Sequence, residues 1–239
     1  MSGIISSEKQ SYHPRIGYKD YVINFIELAF GLILFGVGTY LTVQADVGLA
    51  PWVAFSVGFA NVTGINYGLL HVLISVVILV IDILLKEKIG WGTVGDALLI
   101  GSIMSFLDYL NIIDKATGFW PGMAMLMVGL LITAIGSFFY MDAAFGCGPR
   151  DALFVALCRI LRKVPVGGVR ILLEGSAFLV GWLLGAKAGI GTIIYVFGIG
   201  ILIELVFRVV KFDPTRVHHE SLIDTHMNLV RLHRGEAPK

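Results

Sequence analysis

Two short stretches, QADVGLAPW at residues 44–52 and DAAFGCGPRD at residues 142–151, decide how the rest of this chain is interpreted. Each stretch follows a long apolar run, contains glycine and carries a proline that opens a shorter apolar segment. Proline suits the first turn of a helix, where its missing N–H has no helical partner to lose. The two stretches therefore predict breaks in the helical pattern, followed by short helices over about residues 52–62 and 150–163.

The composition around these stretches is that of a membrane protein. Of the 239 residues, 56% are hydrophobic and only 15% are charged, and the mean hydropathy is +0.84. A soluble domain is typically about a quarter charged, so charge is too scarce here to cover a globular surface. This composition excludes a soluble enzyme and a disordered chain, and the net charge of +1 indicates no nucleic-acid partner.

Six apolar runs are long enough to cross a bilayer as helices, which takes about 20 residues each. They cover residues 21–43, 66–86, 91–110, 121–141, 167–186 and 190–210. The predicted fold class is all-α, a polytopic membrane protein with six transmembrane helices plus two short re-entrant or interfacial helices. Polar residues 1–20 form a cytoplasmic N-terminal segment, and residues 211–239 form a cytoplasmic tail.

The positions of the basic residues predict the orientation. If the N-terminus is cytoplasmic and each short helix returns to its own side, sixteen of the eighteen Lys and Arg residues lie inside. Only Lys115 and Lys187 lie outside. Cytoplasmic loops of membrane proteins are enriched in Lys and Arg, so both termini are predicted to be cytoplasmic.

The two halves of the membrane region share their glycines and prolines. The matched positions are Gly31 and Gly129, Gly38 and Gly136, Gly48 and Gly146, Pro51 and Pro149, Gly68 and Gly167, Gly90 and Gly189, Gly92-Thr93 and Gly191-Thr192, and Gly101 and Gly200. Each half holds three predicted spans, so the second half enters the membrane from the opposite side. This predicts an inverted repeat, with repeat 1 at residues 21–110 and repeat 2 at residues 121–210, as in many transporters.

The two broken turns form the predicted substrate path. Non-helical backbone at membrane depth persists only where protein or a water-filled cavity satisfies it. Two helix N-termini that converge from opposite sides would present free N–H groups to an anionic or polar solute. The residues assigned to this path are Asp46, Gly48, Pro51, Trp52, Gly146, Gly148, Pro149, Arg150 and Asp151. A structural alternative stays open, in which Asp151 caps its helix and Arg150 reaches lipid phosphates.

Ionisable side chains inside spans are costly to bury and are candidates for gating or coupling. These candidates are Glu27, His71, Asp96, Arg170, Glu174 and Glu204. Arg170 and Glu174 share a helix face and can pair there, for gating or for structure alone. The four acidic candidates lie one to two turns from cytoplasmic helix ends and, with Arg150 and Arg170, would line an inner vestibule. His71 is interpreted either as a hydrogen-bonded packing residue or as a proton relay.

The tail after Asp213-Pro214 is polar and contains four of the six histidines. Their spacing matches no dedicated zinc site, so no metal and no cofactor are predicted. The tail is interpreted as an amphipathic or disordered segment whose basic residues lie near anionic lipid.

The broken turns also carry a family resemblance. ADVGLAPW at 45–52 and GCGPRD at 146–151 resemble the bacterial YczE/YitT-type membrane proteins, and the resemblance covers about residues 22–210. It implies a multi-pass protein of the bacterial cytoplasmic membrane, and it brings no catalytic residues with it.

Two functions are therefore expected from different classes. The first is a transporter or channel for a small polar or anionic solute. The alternative is a non-transporting accessory protein that stabilises or regulates a partner complex, and a homo-oligomer is compatible with both. The chain contains no HExxH or GxSxG motif, so it is not expected to be an enzyme. A polar cavity that touches both prolines would favour transport, and a dry, packed midplane would favour the accessory role.

Overall fold

The computed structural model describes residues 17–161, 163–164, 166–212, 217 and 219–234, without the side chains of residues 155, 158, 166–168, 170 and 171. Within these ranges all regular secondary structure is helical. In chain order the helices are α1 Tyr18–Gln44, α2 Pro51–Thr63, α3 Tyr67–Leu84, α4 Trp91–Leu110, α5 Phe119–Asp142, α6 Pro149–Ile160, α7 Val166–Leu183, α8 Ile190–Val209 and α9 Leu222–His233.

Five of the described helices, α1, α3, α4, α5 and α8, are long and apolar enough to cross a membrane. The prediction of an all-helical, multi-pass membrane protein is thus confirmed. Helix α7 has 18 residues, but its described apolar part covers only Leu172–Leu183, so the sixth span stays a prediction. The two short helices, α2 and α6, each begin at the proline that the sequence marked.

The surface of the spanning helices is apolar. Ile26 is 65% exposed, Leu84 is 76% exposed and Phe197 is 69% exposed. In water, each square ångström of such surface would cost about 25 cal/mol, whereas hydrocarbon is a suitable environment for it. These side chains therefore face lipid, and the interior is built mainly from close helix contacts.

Glycine allows the most extensive of these contacts, between α1 and α5. A Cβ atom built at Gly31 would lie 2.5 Å from the backbone nitrogen of Tyr140, and one at Gly38 would lie 2.6 Å from that of Thr133. Higher residue numbers on α1 meet lower numbers on α5, so the two helices run antiparallel. Their backbones touch without intervening side chains, which is typical of helix pairs in membranes.

The two short helices are enclosed by the longer ones. Helix α2 packs on α7 and α3, and helix α6 packs on α3 and α7. On α2, Val53, Ala54 and Ser56 are fully buried. Both short helices therefore lie within the bundle, and their N-terminal ends are in a position to form an internal site.

The tail folds back onto the membrane region. Helix α9 begins with a capping box in which Ser221 and Asp224 bond each other. Just before it, the Glu220 N–H donates to the Ala144 carbonyl at 3.0 Å, and the Leu222 N–H donates to the Ile89 carbonyl at 2.8 Å. Of the two interpretations of the tail, an amphipathic helix describes residues 222–233.

Glu220 anchors this docking with its side chain as well. Its carboxylate accepts hydrogen bonds from the Tyr21 hydroxyl at 3.2 Å, the Thr225 hydroxyl at 3.1 Å and the Asn228 amide at 3.3 Å. Tyr21, Thr225 and Asn228 are all buried. The tail is therefore joined to α1 through one buried acidic group.

We expect Glu220→Ala to release α9 from the membrane region. The change leaves buried donors without their acceptor, which costs about 1–3 kcal/mol per group. Hydrogen exchange of residues 222–233 should speed up strongly, while exchange in α1 and α5 stays slow. Glu204→Ala is the matched control, because Glu204 pairs on an exposed helix surface with Arg208 and such pairs contribute little. Equal exchange in the two variants would contradict this anchoring role.

Candidate functional site

The starts of α2 and α6 meet inside the bundle. Trp52 and Arg150 are the second residues of these helices, and they occupy equivalent positions in the two halves. The guanidinium carbon of Arg150 lies over the Trp52 ring, 5.6 Å from its centroid, in a cation–π contact. The structure thus brings together the two helix starts that the sequence assigned to a common path.

A chain of hydrogen bonds reinforces this contact through α3. Arg150 Nη2 contacts His71 Nε2 and, at 3.4 Å, the hydroxyl of Ser75. Because a guanidinium only donates, His71 Nε2 accepts, and the proton on Nδ1 points to the Ser56 hydroxyl 3.2 Å away. Ser56 in turn donates to the Trp52 carbonyl at 3.0 Å. This chain of hydrogen bonds therefore links helices α6, α3 and α2.

His71 lies at the centre of this chain of hydrogen bonds. It is 1% exposed, and both of its ring nitrogens have partners. These hydrogen bonds are compatible with a packing residue, and the proton-relay interpretation drawn from the sequence stays a prediction. His71 lies one turn after the start of α3, and its neighbour in the cluster, Ser75, lies in the middle of that helix.

Acidic groups lie on the other side of Arg150. A Cβ atom built at Gly148 would be 3.0 Å from the carboxylate carbon of Asp96, so glycine at this position lets Asp96 approach the start of α6. The Gly148 N–H donates to the Tyr140 hydroxyl. Asp96 interacts electrostatically with both Arg150 and Asp151. The cluster therefore holds one guanidinium beside two carboxylates.

Two hydrogen-bond donors of the cluster lack an acceptor. Arg150 Nε and Trp52 Nε1 are both buried, and neither has a hydrogen-bond partner in the described part of the chain. A buried N–H without an acceptor costs about 1–3 kcal/mol, and native proteins rarely retain one without reason. Two such donors on a single contact indicate a position for an acceptor from a ligand.

The first broken turn is held by the start of α8. The Gly191 N–H donates to the Val47 carbonyl at 2.8 Å, and the Leu49 N–H donates to the Thr192 hydroxyl at 3.1 Å. Between them Gly48 has a φ of +143°, and a Cβ there would lie 2.7 Å from Thr192 Oγ1. Only glycine can adopt this backbone conformation and also let Thr192 approach so closely.

The second broken turn is held by the start of α4 in the same way. The Gly92 N–H donates to the Phe145 carbonyl at 2.7 Å, and the Thr93 hydroxyl donates to the Cys147 carbonyl at 2.6 Å. Here Gly146 has a φ of +101°, and a Cβ there would lie 2.9 Å from Thr93 Oγ1. Each turn thus depends on a Gly-x-Gly-Thr segment from a distant part of the chain.

Sequence reasoning missed the role of these threonines. Thr93 and Thr192 were visible as matched positions, but nothing in the sequence said what they contact. The signal that existed was the identical Gly-x-Gly-Thr spacing at 90–93 and 189–192, one copy in each half. Such a repeated segment with two small residues indicates close backbone packing, which is what both copies provide.

We expect both Thr93→Val and Thr192→Val to destabilise the protein, and Thr93→Val to do so more. Each change keeps the shape of the side chain and removes a hydrogen bond to a buried turn, at a cost of about 1–3 kcal/mol, and Thr93→Val also removes the acceptor of the Gly90 N–H. The melting temperature of the purified protein should fall in both variants. Thr63→Val serves as the control, because the Thr63 hydroxyl is exposed and bonds only the Phe59 carbonyl of its own helix and the exposed Ile65 N–H. A fall no larger than that of the control would argue against this role.

Other predicted site residues lie outside the cluster. Asp46 pairs with Lys187 at 2.7 Å on the protein surface. Glu204 pairs with Arg208 at 2.5 Å, and its side chain is 63% exposed. Glu27 on α1 is half-buried and interacts electrostatically with Asp142 at the end of α5.

The remaining predicted residues lie on α2, α6 and α7. Pro51 and Pro149 each occupy the first position of a short helix. Glu174 is half-buried on α7. The side chain of Arg170 lies outside the described residues, so the predicted pair of Arg170 and Glu174 stays a prediction.

Fold and site together define an integral, multi-pass helical membrane protein with a polar cluster at the meeting point of two short helices. The chain belongs to the family described as "Family of unknown function (DUF6198)", which matches residues 22–208. The resemblance to YczE-type membrane proteins is confirmed by this match and by the relatives. The tail with α9 lies beyond the matched region.

The curated relatives are similar over most of their length. An uncharacterized protein of Haemophilus influenzae is 30% identical over 187 residues, covering 78% of this chain and 84% of the relative. The uncharacterized membrane protein YczE of Bacillus subtilis is 28% identical over 178 residues, covering 73% of this chain and 80% of the relative. No solved structure matches the chain.

Proposed function

We propose that this protein is a transporter or channel for a small polar or anionic solute, and not an enzyme. The observation that carries the proposal is the contact of Arg150 with Trp52 at the two converging helix starts. Both residues have a buried N–H without an acceptor in the described part of the chain. In known transporters, substrates bind where discontinuous helices begin, because free N–H groups and the positive dipole ends face the ligand there.

The helix contacts support an inverted repeat with six spans as the framework of this site. The α1–α4 contact has its counterpart in α5–α8, the α2–α7 contact in α6–α3, and the α2–α3 contact in α6–α7. The α1–α5 pair runs antiparallel, as a two-fold axis in the membrane plane requires. A rotation that exchanges repeat 1 with repeat 2 would relate these contacts, whereas the extensive α3–α4 contact has no comparable counterpart between α7 and α8 among the described residues.

Two ion pairs support the proposed assignment of loops to the two sides of the membrane, and we propose that the side with both termini is the cytoplasm of a bacterial cell. Lys187 and Asp46, both assigned to the outer side, pair at 2.7 Å. Arg159 and Glu87, both assigned to the inner side, pair at 2.6 Å. Charged partners must lie on the same side of the membrane, and both pairs meet this condition.

The proposal is tested by flux into liposomes that contain the purified protein. Inorganic phosphate, acetate, benzoate and a long-chain carboxylate form a panel that grades the size and apolar character of the anion. We expect at least one of them to enter faster than into protein-free liposomes, with a rate that saturates. Transport that equals the protein-free rate for the whole panel would contradict the proposal.

One observation favours the alternative of an accessory protein. The structure has a cavity of about 480 Å³ that is apolar and touches Trp52 but neither proline. A polar cavity between the two prolines was the feature expected of a transport path. The accessory role predicts that gentle detergent purification yields a partner protein in fixed stoichiometry, together with no flux in the panel above.

A further inference from the structure

The apolar cavity lies between α2, α3 and α7, and Leu153 of α6 also contributes to its wall. Besides the hydroxyl of Ser176 and the indole N–H of Trp52, its side chains contain only carbon and hydrogen. Water needs several polar partners to occupy a buried site, and this wall offers few. The volume of about 480 Å³ falls in the range of binding sites for organic ligands. A hydrocarbon chain matches both the chemistry and the size of this space.

One wall of the cavity touches the polar cluster. Trp52 lines the cavity, and the Arg150 guanidinium lies over its ring. Leu153, one turn after Arg150 on α6, lines it as well. Of the two buried donors without an acceptor in the described chain, Trp52 Nε1 therefore belongs to a residue of the cavity wall, and Arg150 Nε belongs to the cation–π partner of that residue.

We propose that the cavity and Arg150 together bind an anionic amphiphile, a long-chain carboxylate. Its chain lies between α2, α3 and α7, and its carboxylate accepts hydrogen bonds from Arg150 and Trp52. This inference rests on the proposed function, because it specifies the anionic solute as one with a long apolar chain.

The apolar chain explains how such a ligand competes for Arg150. Asp96 already interacts with the guanidinium, so a short anion gains little by approaching it. Leu73 and Val77 of the cavity wall are 46% and 59% exposed, so the cavity opens to the surrounding lipid, and a methylene group gains little by passing from lipid into it. Each methylene group that leaves water favours an apolar environment by about fourfold. A long-chain carboxylate therefore reaches the site from the bilayer at a local concentration that a short, water-soluble anion does not attain.

The test uses the fluorescence of Trp52. Replacing Trp91, Trp120 and Trp182 with phenylalanine leaves Trp52 as the single tryptophan. A brominated long-chain carboxylate, which quenches tryptophan on contact, is titrated into this protein in nanodiscs. A brominated alcohol of the same chain length controls for simple partition into lipid. We expect saturable quenching by the carboxylate, at a concentration about tenfold lower than for the alcohol.

Two further variants measure separately how the carboxylate and the apolar chain contribute to binding. Arg150→Gln should weaken the carboxylate about tenfold and leave the alcohol unchanged, whereas Arg159→Gln on the same helix should change neither. Ala177→Phe fills the cavity and should abolish saturable quenching by both probes. If that variant does not fold, Val180→Phe, at a wall position that is 37% exposed, replaces it. Equal, unsaturable quenching by both probes in the unmodified site would overturn the proposal.

The quenching experiment also separates this inference from the proposed function. Saturable quenching without flux in liposomes would support the binding site and contradict transport. Saturable flux of a short anion without saturable quenching would support transport and overturn the amphiphile site.

Discussion

Replacing Arg150 with alanine is expected to abolish solute flux while the protein still folds. The change removes the guanidinium from the Trp52 ring and from His71 Nε2, so the two short helices lose their only described cationic contact. The His71 nitrogen then lacks a donor and the buried Asp96 loses the nearby guanidinium, at a cost of about 1–3 kcal/mol for each group. That cost is small beside the helix packing of α1 on α5, which the change does not touch.

The measurement compares flux in liposomes with the melting temperature of the same preparation. Arg159→Ala is the matched control, because it removes the same side chain from the same helix. Arg159 is 54% exposed and pairs with Glu87, whose side chain is 9% exposed, so the melting temperature of the control also reports the loss of this pair. Flux should survive in the control. Arg150→Lys should retain only part of it, because an ammonium group does not reproduce the planar fork of a guanidinium. Unchanged flux in Arg150→Ala would remove Arg150 from the site.

Local chemistry explains why the sequence located the two breaks correctly. Proline and glycine act through the backbone, so their effect is visible without knowing any partner. Pro51 and Pro149 start α2 and α6, and Gly48 and Gly146 adopt the positive φ values that other residues avoid. Features of this kind are encoded within a few residues, and they are the part of the fold that could be predicted.

Side-chain partners were harder to predict because they depend on three-dimensional packing. Asp46 was assigned to the substrate path, yet its partner is Lys187, 141 residues away. Arg150 and His71 are 79 residues apart. The sequence showed that both residues are costly to bury, but nothing in it indicated that the two side chains contact each other. A charged residue in a membrane span needs a partner, but the sequence does not show which residue that partner is.

The repeat, in contrast, allows a quantitative prediction about the α1–α5 contact. Gly38 and Gly136 are matched positions, and each faces backbone of the opposite helix. A Cβ atom at Gly38 would lie 2.6 Å from the Thr133 nitrogen, and one at Gly136 would lie 2.6 Å from the Phe35 nitrogen. Backbone atoms cannot rotate aside as a side chain does, so the helices must separate to accommodate a methyl group.

We therefore expect Gly38→Ala and Gly136→Ala to lower the melting temperature strongly and by similar amounts. Overpacking of this kind costs about 1–3 kcal/mol or more, which exceeds the gain of about 0.5–1 kcal/mol that alanine brings to a helix. Gly200→Ala is the control, because nothing lies within 4 Å of its built Cβ, and there the gain should dominate. Thermal unfolding in detergent measures all three. If Gly38→Ala melted like Gly200→Ala, the close α1–α5 contact would be contradicted. If Gly38→Ala and Gly136→Ala differed widely, the equivalence of the two halves would fail while the contact itself stood.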